Sequence, residues 1–561
     1  MTELLTGAQI LRRTLVDAGV DVMFGYPGGA IMPFYDALHG HEKTLRHVLV
    51  RHEQAAAHAA DGYARASNRV GVCVATSGPG ATNLVTGLAT AHMDGSPVLA
   101  ITGQVGRPML GRDAFQETDV VGVTMPVTKH NVLVRDVEEL ADDVREAMAI
   151  ALEGRPGPVL VDVPKDVQNQ KAEYRTRPAP SRRGGGHAAS AEPPADATLR
   201  EVAQLIAQAE RPLLMIGHGV IVSGAYAPVR ELAERTGMPV ITTLLGISAF
   251  PQAHELHLGM PGMHGEVHIN KAIQAADLIV GVGMRFDDRV TGNTATFAPR
   301  AKIVHIDIDA AAIGRNVPVA VGLVGDARGV VERLLAVIAP RDCLPWRREI
   351  AALMRPHVEA FAGGLSPELI LATLADVTGG DCTIVSDVGQ HQMWVAQRYP
   401  FQRPNTHITS GGLGAMGFAV PAAMGVHLAR PDESVWAISG DGGFQMNMAE
   451  IATMIQEGLE VKLAVFNNGY LGMVRQWQQF FHGGRYSNTP IWSPDYVKLA
   501  AAYGIPGWRV KHAAEVSDVL RQANEARGPA LVELVIEQEA NVFPMIVPGG
   551  SLSEPLEAAP V

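Results

Sequence analysis

Cysteine is scarce in this chain: three in 561 residues, at Cys73, Cys343 and Cys382. They lie far apart, each beside apolar sequence, with the spacing of neither a disulfide framework nor a thiolate metal centre. They are expected to be reduced thiols in the core. Long apolar runs are missing too, and none reaches the roughly 20 residues of a membrane span. Positive charge is in deficit: 46 Lys and Arg against 58 Asp and Glu give a formal net charge of −12. That excludes broad affinity for nucleic acid or anionic membrane and leaves any anionic substrate to a few placed cations. No short tandem repeat is present, and no Ser-His-Asp or Cys-His arrangement is apparent. The first residues, MTELLTGAQILRRTL, read as the start of an amphipathic helix without signal or transit character. A cytoplasmic protein is expected.

What is there is a compact globular chain, 47% hydrophobic and 19% charged, long enough for three or four domains with separate cores. Residues 1–175 alternate strand-like and helical runs, as in HVLVRHEQAAAHAADGYARA, with further strands at PVLAITGQ and GPVLVDVPKD. Residues 176–198 are rich in Pro, Gly, Ala and Ser and read as a linker. The alternation resumes over 199–340, with strands at PLLMIG, PVITTL, ADLIVGVG and AKIVHIDID, and again over 360–545. Residues 546–561 are expected to be a flexible tail. The fold class predicted is α/β, three doubly wound domains around parallel sheets.

The most informative stretch is 434–474. An apolar run (434–439) reaches Gly440-Asp441-Gly442, a helical segment follows with Met448, Ile451, Met454 and Ile455 at core spacing, and a second apolar run ends at Asn467-Asn468. As a βαβ unit this brings both strand ends to one sheet edge, so Asp441 and Asn468 converge. Carboxylate and amide oxygens there suit Mg²⁺, with phosphates completing its shell. Gly442 and Gly443 let a diphosphate approach the backbone at a helix N-terminus. GDG and NNG are each common turn punctuation. The pair, each after a buried-type strand, points to a metal–diphosphate site.

GDG followed 24 residues later by NN resembles the signature of thiamine-diphosphate (ThDP) enzymes. The continuation NNGYLGMVRQWQQ is similar to the acetohydroxyacid synthase (acetolactate synthase) large subunits, and the resemblance runs from about Leu4 to Pro548. It implies a pyrimidine-binding domain at 1–175, a central FAD-binding domain at 199–340 and a ThDP diphosphate and Mg²⁺ domain at 360–545. An acid at a helix head, such as Glu53, can simply complement the macrodipole. The resemblance makes Glu53 the hydrogen-bond partner of N1′ of the aminopyrimidine, serving proton transfer. Tyr26, Pro27, Gly29, Pro79 and Asn83 are implied beside it.

On the diphosphate side the resemblance implies Gly389, Gln390, His391, Gly414, Leu471, Gly472 and Met473. Met416 would wedge the cofactor into a V shape, where an ordinary core Met is the plain reading. Tyr470 would give the metal a main-chain carbonyl beside Asp441 and Asn468. For flavin, Arg155, Gly217, Gly219, Thr243, Leu244, Met263, His264, Gly265, Arg285, Asp287, Asp307, Ile308 and Asp326 are implied. Gly217-His218-Gly219 is by itself a weak dinucleotide fingerprint, and His218 stands where relatives often have a small residue. Arg289 would take the carboxylate of a 2-ketoacid, or else pairs with Asp287 or Asp288. Phe115, Gln116 and Lys165 would line the active-site entrance, Met473 and Trp477 the acceptor pocket, with Trp477 favouring 2-ketobutyrate. Gly28, Gly29 and Ala30 would lie over the thiazolium of a partner chain.

The activity implied is that of an acetolactate synthase catalytic subunit. Pyruvate is decarboxylated on ThDP, and the two-carbon unit is condensed with pyruvate or 2-ketobutyrate. The products, 2-acetolactate or 2-aceto-2-hydroxybutyrate, open branched-chain amino-acid synthesis. A homodimer or tetramer with shared sites is implied, and a small regulatory subunit is a further implied partner. Another ThDP/FAD enzyme on the same scaffold is the alternative: a pyruvate oxidase, or a glyoxylate carboligase, a type that lacks the acid Glu53 supplies.

Overall fold

The computed structural model describes residues 3–175, 194–354 and 365–559. Most of the expected linker lies outside them, and its last residues enter a helix that begins at Asp196. The chain opens with β1 (Glu3–Thr6). The first sheet takes β2 (Val22–Gly25), β3 (Arg46–Leu49), β4 (Gly71–Ala75), β5 (Val98–Gln104), β6 (His130–Leu133) and β7 (Val159–Pro164), in the order β3-β2-β4-β5-β7-β6. Strand β8 (Lys171–Tyr174) returns antiparallel to β1 and closes that unit. The second sheet holds β9 (Pro212–Ile216), β10 (Val240–Thr242), β11 (His257–Gly259), β12 (Leu278–Val282), β13 (Lys302–Asp307) and β14 (Val321–Val324), ordered β11-β10-β9-β12-β13-β14. The third holds β15 (Cys382–Ser386), β16 (His407–Thr409), β17 (Ser434–Gly440), β18 (Val461–Asn467), β19 (Gly507–Val510) and β20 (Ala530–Val535), ordered β16-β15-β17-β18-β20-β19.

Within the three sheets every pairing is parallel, so the α/β prediction holds. The reason is visible in the strands: GVCVA, PLLMI and LIVGV are buried along their whole length, as both faces of a parallel sheet require. Numbered from one within each unit, the first and third sheets share the order 2-1-3-4-6-5, and the central one is 3-2-1-4-5-6. The latter is the doubly wound order of dinucleotide-binding sheets.

The first and third units meet through two small-residue helices, Glu53–Ser67 and Ala419–Ala429. A Cβ on Gly62 would lie 2.1 Å from the Ala422 oxygen, and one on Gly425 1.9 Å from the Ala59 oxygen. Backbones therefore touch, and the two sheets share one apolar cluster.

Some expectations need correcting. The segment read as a flexible tail is packed: β21 (Met545–Ile546) pairs with β22 (Pro555–Leu556), and Ile546 and Leu552 are buried in the central core. Their apolar side chains fill that core despite the Gly- and Pro-rich setting. Ile455 points outward, at 41% exposure, because Gly458 ends the helix one residue after Glu457 and the core face takes Ile451 and Met454. Helix Leu344–Leu353, beyond the expected end of the central unit, packs on it through buried Trp346, whose indole N–H donates to the Pro212 oxygen. The three cysteines are free and buried. Among the described residues, no helix is long and apolar enough to cross a membrane.

Candidate active site

Strands β17 and β18 are neighbours, so Asp441 and Asn468 stand side by side at their carboxyl ends. The Asp441 carboxylate accepts the Gly469 N–H at 3.1 Å and the Ser493 hydroxyl at 3.2 Å. Asn468 Oδ1 accepts the Tyr470 N–H at 3.1 Å, and its amide donates to Gln390 Oε1 at 3.3 Å. Burial pushes Asp441 up to about 7, so its negative charge is disfavoured until a cation meets it. Among the described residues no cluster of three His, Cys, Asp or Glu could hold a metal. The donor set is one carboxylate, one amide oxygen and a main-chain carbonyl. That suits a hard cation whose remaining positions go to phosphate oxygens and water.

A small pocket opens over this edge, lined by Gly389, Gln390, His391, Met416, Gly442, Gly443, Leu471, Gly472 and Met473 with the three donors. A Cβ on Gly442 would fall 2.7 Å from Leu471 Cδ2, and one on Gly472 would fall 2.2 Å from Gln390 Oε1. The bare backbone is what a diphosphate needs to approach. His391 Nε2 accepts the Gly440 N–H at 3.2 Å, and burial holds the ring neutral, down to about 3. Its role in this geometry is to support the turn into Asp441.

A cavity of about 670 Å³ lies beside this pocket and shares Gly389, Met416 and Met473 with it. Every residue the sequence points to for flavin lines it except Gly217 and Gly265. Those two admit close backbone contacts, with Gly283 and with 260–262 respectively. The volume falls within the roughly 300–1,000 Å³ of ligand sites. Its wall has unmet needs: Arg155 is held below the usual guanidinium range, first by burial and then by the like charge of Arg285. His264 Nδ1 is buried without a partner. Two adjacent cations suit the diphosphate of a dinucleotide. Gly414, Arg289 and Trp477 also line the cavity. The Arg289 guanidinium sits 5.9 Å from the Trp477 ring centre and 3.5 Å from Asp288, an exposed pair worth little by itself.

The first sheet presents a second constellation, again after carboxyl ends of strands. Tyr26–Ala30 follow β2, Glu53 follows β3, Pro79–Asn83 follow β4, Phe115 and Gln116 follow β5, and Lys165 follows β7. The Asn83 amide donates to Glu53 Oε2 at 2.9 Å, and the Ala30 N–H donates to Thr76 Oγ1 at 3.3 Å. A Cβ on Gly78 would meet the Gln116 oxygen at 2.8 Å. Gln116 takes a left-handed φ of 59°, in a loop that the Glu117 carboxylate gathers through the N–H groups of Arg112 and Ala114. Phe115 is 88% exposed. None of these residues lines either cavity. Within one chain the two constellations belong to different sheets: Arg51, two residues before Glu53, donates its N–H to Glu450 at 2.8 Å, at the far end of the helical segment that Asp441 begins.

Three family profiles match along the chain. They are the N-terminal TPP (thiamine pyrophosphate) binding domain of thiamine pyrophosphate enzymes over residues 5–123, their central domain over 199–334, and their C-terminal TPP binding domain over 387–534. The acetolactate synthase large subunit of Mycobacterium tuberculosis is 48% identical over 98% of this chain and 91% of its own length. That of Corynebacterium glutamicum is 47% identical over 98% and 90%. The chain belongs to the acetolactate synthase family of thiamine pyrophosphate enzymes. The probable acetolactate synthase large subunit of Methanocaldococcus jannaschii, 44% identical over 99% of this chain and 96% of its own, extends the likeness to a distant source.

Two residues at this acetolactate synthase-like site escaped sequence reading. Ser493, in a loop far along the chain, orients Asp441, and no local pattern marks it. Asp387 is buried and pushed up to about 6 by that burial. It accepts the N–H groups of Val388 and Gly417, each at 2.8 Å, and the Ser439 hydroxyl at 3.2 Å. It thereby ties the turn after β15 to the end of β17 and to the segment holding Met416. Its signal was present, an Asp directly after a buried strand in SDVGQ.

Proposed function

We propose that this protein is the catalytic subunit of an acetolactate synthase, joining two pyruvates, or pyruvate and 2-ketobutyrate, with loss of CO₂. The observation that carries the reading is the shared wall. Met416 and Met473 border both the Asp441–Asn468–Tyr470 edge and the cavity that holds Arg289 and Trp477, so a 2-ketoacid bound there would be a neighbour of a cofactor held at that edge.

Asp441, Asn468 and the Tyr470 carbonyl would hold Mg²⁺, and Gly442, Gly443 and Gly472 clear the path of the diphosphate. Bound ThDP supplies the nucleophilic carbon and electron sink of the condensation. Asn83 occupies Oε2 of Glu53, leaving Oε1 to hold and return a proton at the aminopyrimidine. Arg289 takes the carboxylate of the acceptor, and Trp477 shapes the space for its alkyl group. Lys165, Phe115 and Gln116, with Gly28 and Ala30, close the mouth.

Because Glu53 and Asp441 stand at separate strand edges, a second copy of the chain completes each site, and a homodimer is the smallest working unit. FAD is the reading for the large cavity, supported by the 3-2-1-4-5-6 sheet order and by the Arg155–Arg285 pair. The condensation is redox-neutral, so flavin need carry no electrons. A small regulatory subunit is an expected partner, and three free thiols suit the reducing cytoplasm. The test is colorimetric detection of acetolactate from pyruvate, with ThDP, Mg²⁺ and FAD omitted in turn. Acetolactate that requires ThDP and Mg²⁺ is expected. Peroxide formed in step with pyruvate consumption would make the enzyme an oxidase instead.

A further inference from the structure

The strand order of the central sheet reverses between β9 and β12, the place where doubly wound sheets open a crevice for a dinucleotide's phosphate linker. His218 follows β9 at that switch and lines the large cavity. Its Nδ1 lies 2.8 Å from the Asp94 main-chain oxygen. A carbonyl can only accept, so Nδ1 carries the proton and Nε2 of the neutral ring is a bare acceptor. Nε2 has no hydrogen-bond partner among the described residues.

The charges around the ring are already committed. The Asp94 carboxylate accepts from Arg65 at 2.8 Å and from the N–H groups of Gly411 and Gly412 at 3.1 and 2.6 Å, while Arg65 also pairs with Asp61 at 2.7 Å. Arg155 donates to the Met93 oxygen at 2.7 Å, one carbonyl before the His218 partner. A Cβ on Gly412 would lie between Asp94 Oδ1 and Arg285 Nη2, at 2.7 and 3.2 Å. Both guanidiniums therefore surround the same helix end and offer the diphosphate its seat. Burial, and then the charge of Arg65, hold His218 down to about 4, so the ring stays neutral. A neutral acceptor next to a diphosphate seat is matched by a hydroxyl.

We infer that His218 is a ligand contact of this cavity, accepting through Nε2 a hydrogen bond from a hydroxyl that flanks the diphosphate of a bound flavin dinucleotide. This rests on the flavin reading of the cavity. Two isolated changes separate the ring nitrogens: His218→Asn keeps a donor for Asp94 but cannot reach the ligand, and His218→Gln places an acceptor at the Nε2 position but gives up the Asp94 contact.

The measurement is FAD affinity of the full chain stripped of flavin, read from flavin fluorescence, with proton uptake from calorimetry in buffers of different ionisation enthalpy. His218→Asn should weaken FAD about five- to tenfold, the worth of one neutral hydrogen bond, and His218→Gln should stay within about twofold of the original. Binding should take up no proton between about pH 6 and 8, where the ring stays neutral. His218→Leu should repeat the loss if the Asn variant fails to fold. ADP as a second probe locates the hydroxyl: a loss shared by ADP puts it on the ribose, and one confined to FAD on the ribityl chain. Equal affinity in all variants, a loss in His218→Gln alone, or a proton uptake that His218 substitutions abolish would overturn the inference. A native protein that takes up no FAD defeats the flavin reading itself.

Discussion

Glu53→Gln is nearly isosteric, and its effect follows from one neighbour. The Asn83 amide donates to Oε2, so in the variant it selects the rotamer with the amide oxygen in that position. The NH₂ group then occupies the Oε1 position, presenting a donor where the aminopyrimidine requires a group that can hold a proton. Turning the amide over would set two donors face to face, at about 1–3 kcal/mol. The fold and the diphosphate edge, which rests on the third sheet, should be unaffected. The loss should be that of a general acid–base group, about 10²–10⁴ in turnover, or about 2.7–5.4 kcal/mol in the barrier. Acetolactate formation and calorimetric ThDP binding are measured on the same protein. Slow turnover with ThDP affinity retained is expected. Near-normal turnover would refute the reasoning, because the open oxygen of Glu53 would then have no part in proton transfer.

Gly472→Ala should weaken Mg²⁺-dependent ThDP binding at least tenfold without unfolding the protein, since its Cβ would fall 2.2 Å from Gln390 Oε1 and 2.8 Å from Asn468 Nδ2 and displace that amide; calorimetry with and without Mg²⁺ reads it. Arg65→Met leaves Asp61 and Asp94 buried and facing each other, their side chains 0% exposed, and should cost about 3–5 kcal/mol, read as a lower melting temperature of the flavin-free protein. Asp162 is buried and pushed up to about 7 from 3.8, despite bonds from Thr102 and Gln104. Its folded value is raised, so its charge lowers stability fully above about 7 and not at all below about 4. The stability gap between Asp162→Asn and the original should therefore open in the variant's favour as pH climbs through that window, as followed by denaturant unfolding.

The parts of this molecule that sequence made legible share one physical origin. Parallel strands bring their carboxyl ends to one edge, so a residue directly after a buried run is placed by topology alone. Asp441 and Asn468 could be located in that way, Glu53 only through the family resemblance of its segment, and the α/β class follows from strands apolar on both faces. What escaped depends on packing between distant segments. Ser493 reaches Asp441 from a loop with no periodicity, and the Asp94–His218 contact joins two domains that no local pattern connects. The tail failed for the opposite reason: Gly and Pro suggested mobility, yet Ile546 and Leu552 carry enough apolar surface to dock on the central core. The shared 2-1-3-4-6-5 order of the outer sheets was not legible, because strand order leaves no mark on composition.

Glu53 follows a strand of the first sheet and Asp441 a strand of the third, which makes the proposed shared site the central claim, and complementation tests it most directly. Glu53→Gln and Asp441→Ala proteins, each with at most about a hundredth of the original activity alone, are mixed under conditions where subunits exchange, and acetolactate is measured. A mixed dimer holds one site with both lesions and one with neither, so an equal mixture should regain about a quarter of the original activity. Proven exchange without any return of activity would contradict the account.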